Sequence, residues 1–219
     1  MSITVIILVI LVIALLYFLY VYFVKKSNTL TKSANLNNTN PAITTVNSGT
    51  STRYAYGVWV FVNTWNTTTT KPILSREGNI KLYLDKTKPS LYCSITQNPA
   101  SKDKDILITD NFPIQSWTYV VVSADGQIID CYLDGKLVTS QKLSGAPQAP
   151  QTTTPVIYGS GWDAYVAGVQ NWSGPVGPHE VWSAYVQGNG SALAQMLGNY
   201  GMTLTVSKNN VDQSKYTIF

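Results

Sequence analysis

The stretch Trp117-Thr-Tyr-Val-Val-Val-Ser123 runs through Ala124-Asp-Gly126 into Ile128-Ile-Asp-Cys-Tyr-Leu133. Asp134-Gly135 then turns it into Lys136-Leu-Val-Thr-Ser140. Short runs rich in β-branched and aromatic residues, broken at Asp-Gly, read as successive antiparallel strands, because Gly accepts the positive φ that a tight hairpin needs. Trp117 heads the longest apolar run and is expected in the core.

The same pattern extends outward. Upstream lie Tyr54-Ala-Tyr-Gly-Val-Trp-Val-Phe-Val62, Lys81-Leu-Tyr-Leu84 and Leu91-Tyr-Cys-Ser-Ile95, the last two separated by Asp85-Lys-Thr-Lys-Pro89. Downstream, Pro155-Val-Ile-Tyr158 and Glu180-Val-Trp-Ser-Ala-Tyr-Val186 bring the set to eight or more strands, a spacing that suggests a sandwich. Ser191 to Asn199 is the helical candidate, with Ser191 as N-cap and Gly201 as stop. Four parts are expected: residues 1–26 as an anchor, 27–52 as a flexible Asn/Thr/Ser-rich linker, 53–200 as an all-β jelly-roll sandwich, and 201–219 as a strand-forming tail.

Only 12% of the 219 residues are charged, about half the usual share, while aromatics reach 11%. The net charge of +4 is mild, with no basic run beyond Lys25-Lys26, which argues against a nucleic-acid partner. Cys93 and Cys131 form no C-x-x-C pair and have only His179 as histidine company, so they read either as buried thiols or as one disulfide between strands.

Residues Ile3 to Val24 carry no charged side chain. As a helix they would rise about 33 Å, enough to cross a bilayer's hydrocarbon core. Tyr17, Tyr20 and Tyr22 gather where an interfacial belt would sit, and Lys25 and Lys26 close the span. A signal peptide would need a basic start, a shorter apolar core and a small-residue cleavage site. The lipid bilayer is therefore one expected partner. Lys25, Lys26 and Lys32 place the following domain on the cytosolic side; the sequons at Asn37, Asn66, Asn171 and Asn189 point to the opposite topology.

The order of these pieces resembles the laminin-G and pentraxin branch of the concanavalin A-like lectin/glucanase superfamily. Tyr56-Gly-Val-Trp-Val-Phe-Val62 followed by Pro72-Ile-Leu-Ser75 is similar to its opening strands. The run Trp117 to Gly126, then Cys131-Tyr-Leu-Asp-Gly-Lys-Leu137, is similar to its W-x-H-V-A-V-x-x-D-G … Y-x-D-G hairpin, with Tyr119 where His is common. Gly168 through Val186 resembles its late strands, although Gly174-Pro175 and Gly177-Pro178 interrupt them. The resemblance implies a concanavalin A-like jelly roll and says little about chemistry.

The superfamily's glycosidases carry E-x-D-x-x-E, with carboxyl groups about 5–5.5 Å apart for a retaining mechanism. This chain has two glutamates, Glu77 and Glu180, in no such motif. His179 lies in loop-like sequence without a G-x-S-x-G partner, and Gly159-Ser-Gly161-Trp-Asp-Ala164 lacks the strand–helix setting of a dinucleotide loop. No catalytic residue and no cofactor motif is read. Some relatives bind calcium at a rim, which makes Asp103, Asp105 and Asp163 candidate ligands. Trp65, Trp162 and Trp172, with Asp163 and Asn171 beside two of them, are the candidate contacts for a glycan or a protein partner.

Two functions follow. The first is a non-enzymatic structural tether joining a membrane to a protein layer. Membrane-anchored domains of this style also resemble minor capsid or inner-membrane proteins of large DNA viruses, whose partners are capsid-shell proteins; the chain would then lie in the virion inner membrane. The second is a lectin-like glycan-binding or adhesion module on a cell or virion surface.

Overall fold

Asp134 and Gly135 sit at φ of 47° and 79°, the paired positive values of a type I′ hairpin turn. They join β8 (Ile128–Leu133) to β9 (Lys136–Lys142), and Gly126 at φ 60° helps turn β7 (Trp117–Asp125) into β8. The meander read from the sequence is thus present, in a computed structural model that describes residues 11–15, 28–46, 51–98, 103–151, 153–189, 203–208 and 211–217.

The other elements are β1 (Asn28–Asn35), β2 (Arg53–Val62), β3 (Lys71–Arg76), β4 (Ile80–Leu84), β5 (Leu91–Asn98), β6 (Asp103–Thr109), β10 (Ala146–Pro147), β11 (Val156–Tyr158), β12 (Ala164–Trp172), helix α1 (Pro178–Val186), β13 (Thr203–Lys208) and β14 (Val211–Thr217). One six-stranded sheet runs β1-β12-β2-β7-β8-β9; the second runs β10-β5-β4-β3-β11, with β6 also on β5. All of these pairs are antiparallel. The result is an all-β jelly-roll sandwich. β13 and β14 pair with each other, as expected for the tail.

Between the sheets lies the main core, which includes Val58, Val60, Val120, Val122, Ile95, Leu84 and Val166. Cys93 and Cys131 belong to it as free thiols. Burial pushes both well above the ordinary thiol range, Cys131 to about 12, so neither is a reactive thiolate.

A second apolar cluster lies on the opposite, outer face of the first sheet. Ala55, Trp59, Tyr119, Val121, Tyr132, Ala167 and Trp172 are covered there by Val176 and by Val181 and Ala184 of α1. Strands β2 and β7 are thus apolar on both faces, which explains their unbroken hydrophobic runs.

Three expectations are corrected. Residues 27–52 are not a linker: over its described part this segment belongs to the sandwich. β1 pairs with β12 from Asn28 opposite Asn171 to Asn35 opposite Tyr165, Leu36 is fully buried, and Ile43 bridges Val156. Leu30, Ala34 and Leu36 recur at even positions; an edge strand needs one apolar face only, and polar neighbours hid that alternation. Second, Glu180–Val186 is helix, not strand. Pro178 opens α1, Glu180 Oε2 accepts the Gly177 N–H at 3.2 Å, and Val181 and Ala184 recur at helical spacing. His179 therefore sits exposed in the first turn of that helix. Third, Trp117 is only half-buried, on the outer face.

Residues 11–15 are helical with exposed apolar side chains. The rest of Ile3–Val24, with Tyr17, Tyr20 and Tyr22, lies outside the described residues, as do Lys25, Lys26 and the candidate helix Ser191–Asn199. Among the described residues no helix is long and apolar enough to cross a membrane.

Leu36 separates the linker from the strand interpretation. Leu36→Ala is expected to cost about 2–5 kcal/mol in urea unfolding, the range for a buried leucine. A change within about 0.5 kcal/mol, as at an ordinary surface site, would restore the linker.

Candidate binding surface

The structure redistributes the tryptophans singled out by sequence. Trp162 is 2% exposed, lies in the inter-sheet core and donates its Nε1–H to the Pro72 carbonyl at 2.8 Å. Trp172, 8% exposed, lies in the outer cluster. It packs against Gly57, where a Cβ would stand 3.0 Å from the indole and 2.6 Å from the Tyr119 hydroxyl. Asn171 is buried and donates from Nδ2 to the Ala55 carbonyl at 3.2 Å. These three are structural residues, which corrects the expectation that they contact a ligand. They read as loop because of neighbouring glycines. Gly168, at φ 54°, sits in a bulge that shifts the β12 register between Ala167 and Gln170 and breaks the alternation of a strand.

Trp65 is half-buried, packs on the core and lies under the Lys71 ammonium, 4.1 Å from its ring centroid. Lys71 Nζ also donates to the carbonyls of Thr69 and Lys86, and burial lowers its pKa. The two side chains thus hold each other by a cation–π contact at the edge of the core.

Asp163, beside Trp162, is only half-buried. Its carboxylate accepts Thr64 Oγ1–H and Asn63 Nδ2–H at 2.8 Å on one oxygen, and Asn37 Nδ2–H at 3.1 Å on the other. These hydrogen bonds, Thr64's first, hold its pKa below the ordinary carboxylate value. Asp103 and Asp105 lie elsewhere, on β6 of the second sheet, where Asp103 accepts the Thr96 hydroxyl at 2.8 Å. Among the described residues no three His, Cys, Asp or Glu side chains gather as metal ligands.

What sequence reading missed is an aromatic ladder beside the Asp163 knot. Tyr165 of β12 stands opposite Phe61 of β2, which stands opposite Trp117 of β7. Ring centroids are 6.5 Å apart in the first pair and 5.5 Å in the second. Tyr165 is 39% exposed, and Phe61 and Trp117 are half-buried. One pleat along, Trp59 and Tyr119 occupy the same face, but Tyr185 of α1 stacks on Trp59 at 5.5 Å and closes that row. The ladder is thus the part of the outer aromatic face that α1 leaves open.

Next along the same three strands comes a polar row. Asp163, Asn63 and Gln115 lie two residues beyond Tyr165, Phe61 and Trp117. They are tied by Asn63 Nδ2 to Asp163 and by Gln115 Nε2 to the Asn63 carbonyl at 3.4 Å. Gln115 adopts φ 57°, a conformation costly for a residue with a Cβ and one that clusters at functional sites. A row of π-faces beside a row of amide and carboxylate groups suits a ligand with both apolar and hydrogen-bonding edges. Apart from the ladder, a concavity of about 310 Å³, lined by Glu77, Gly78, Gln148, Ala149, Gln151 and Thr154, contains no aromatic ring.

The family model of the concanavalin A-like lectin/glucanases superfamily matches residues 36–187. No curated protein sequence matches the chain. Among solved structures, the botulinum neurotoxin serotype G binding domain aligns with a TM-score of 0.54 at 15% identity, over 74% of this chain and 46% of that one. The receptor binding domain of botulinum neurotoxin D gives 0.56 at 14%, over 84% and 55%. The serotype D ligand binding domain in complex with N-acetylneuraminic acid gives 0.54 at 14%, over 84% and 53%. The chain spans about half the length of these structures, and at such identities the likeness is one of fold.

Two outcomes follow from the placements. Trp162→Ala is expected to cost about 3–5 kcal/mol and Trp117→Ala about 1–2 kcal/mol in chemical denaturation, and equal losses would contradict the two burial states. Asp163 has a folded pKa below its unfolded value, so its carboxylate stabilises the fold above about pH 4 and less as pH falls further. The stability difference between the native chain and Asp163→Asn should therefore shrink on acidification below that point; a difference constant with pH would contradict the hydrogen-bonded carboxylate.

Proposed function

We propose that this chain, which belongs to the concanavalin A-like lectin/glucanases superfamily, is a non-enzymatic recognition module held at a membrane by residues 3–24 and binding glycan at its outer sheet face. The observation that carries the reading is the open aromatic ladder Tyr165–Phe61–Trp117 with the polar row beside it. Sugars present an apolar ring face and a hydroxyl edge, and the two rows offer a counterpart to each.

The strand directions favour presentation. β1 starts at Asn28, two residues beyond Lys26, so its first residue lies on the membrane side of the sheet if residues 3–24 span. Asn28 pairs with Asn171, whereas the ladder lies at the opposite end, where Asn35 pairs with Tyr165. An eight-residue strand covers roughly 25 Å, which would hold the ladder away from the lipid without a stalk. In this reading the domain faces away from the cytosol.

The tether to a protein layer is the second reading. What favours it is Trp182, 50% exposed on α1, with Val186 exposed on the same helix. It goes with a cytosolic domain.

Translation of the full chain with microsomes distinguishes them. The glycan reading expects a band resistant to alkaline extraction and shifted by glycosylation. The shift should depend on Asn37 and Asn66, which are exposed, and not on Asn171, whose amide is buried. A membrane-integrated chain with no shift would overturn the glycan reading in favour of the tether.

A further inference from the structure

Resting on that glycan reading, the two rows also restrict the class of sugar. No Lys or Arg stands in either row: the aromatic one is Tyr165, Phe61 and Trp117, the polar one Asp163, Asn63 and Gln115. Lys71, on β3 of the second sheet, is buried and committed to the Trp65 ring and two carbonyls. The charged member of the two rows is the Asp163 carboxylate. It lies two residues from Tyr165, about 7 Å along the strand, inside the screening length of about 8 Å at physiological salt. An anionic group laid on the ladder would meet this like charge with no cation in either row to compensate it. A hydroxyl, by contrast, can donate to the carboxylate or accept from an amide.

The platform is also longer than one ring, because three aromatics on three adjacent strands lie at successive centroid spacings of 6.5 and 5.5 Å. Their planes are tilted, by 57° and 46°, so the surface is stepped, not flat. A stepped row suits rings joined by a bent linkage better than one flat sheet-like ligand.

We infer that the ligand is a short neutral oligosaccharide, its apolar ring faces on Tyr165, Phe61 and Trp117 and its hydroxyls toward Asp163, Asn63 and Gln115. The serotype D neurotoxin domain, by contrast, is known in complex with an acidic sugar, N-acetylneuraminic acid. The difference expected here follows from Asp163.

The test uses the full chain in detergent or lipid nanodiscs. It is screened against neutral oligosaccharides and against sialylated versions of the same cores, and the best binders are titrated by calorimetry. Binding confined to the neutral set is expected. Phe61→Ala and Trp117→Ala should each weaken it by about tenfold, the equivalent of one stacked ring. Tyr165→Ala, at the most exposed ring, provides a variant whose fold is least at risk; melting curves check all three. Asp163→Asn should narrow the preference for neutral over sialylated sugars. If sialylated sugars bind as well as or better than neutral ones, the neutral class is overturned while glycan binding stands. If neutral sugars bind but none of the three aromatic variants loses affinity, the site is overturned. If neither class binds, the glycan reading itself fails.

Discussion

The pairing of β2 with β7 fixes both faces of the first sheet at once. With Phe61 opposite Trp117 and Val58 opposite Val120, Val58, Val60, Val120 and Val122 point between the sheets, while Trp59 and Tyr119 point outward beneath α1. A slip of one residue would exchange the two sets and bury neither properly. Gly57 keeps the register possible, since any side chain there would displace Tyr119 and Trp172. The Tyr119 backbone N–H donates to Asp134 Oδ1 at 2.8 Å, and Asp134 N–H returns to the Tyr119 carbonyl at 2.9 Å. The Asp134-Gly135 hairpin turn is thereby locked to the strand that carries Trp117 and Tyr119 of the outer aromatic rows.

From this constraint the surface follows. Two aromatic rows emerge on the outer face; α1 covers one and leaves the other open. Helix α1 is short, and its docking depends on Val181 and Ala184 fitting over the sheet. Gly135 lies under Trp182, where a Cβ would approach the indole to 2.6 Å. The same turn glycine thus serves the hairpin through its positive φ and the helix through its missing side chain.

Much of the fold was legible because its signals are local. Asp-Gly turns, the long apolar runs of β2 and β7, and the later strands β8, β9 and β11 carry their own chemistry. What was not legible depends on partners distant in sequence. β1 reads as polar linker until β12 lies beside it, with paired residues 130 to 143 positions apart. Trp162 and Trp172 look like loop residues because Gly161 and Gly168 flank them, yet the bulge and the Pro72 carbonyl draw both inward. Helix α1 was the avoidable miss, since Pro178 followed by Glu180 is a helix-start signal lying in plain sequence. The ladder itself joins Tyr165, Phe61 and Trp117 across three strands, a juxtaposition that only the register reveals. Of the residues proposed from sequence as contacts, Asp163 remains in the candidate site, as the acceptor that ties Asn37, Asn63 and Thr64 together.

A structure of the chain determined with a bound neutral oligosaccharide is the most direct test of the claim that the β2–β7 register builds the recognition surface. The account predicts sugar rings over Phe61, flanked by Tyr165 and Trp117, with a hydroxyl on Asp163. Sugar bound instead in the concavity beside Glu77, Gln148 and Gln151, with the ladder bare, would contradict it.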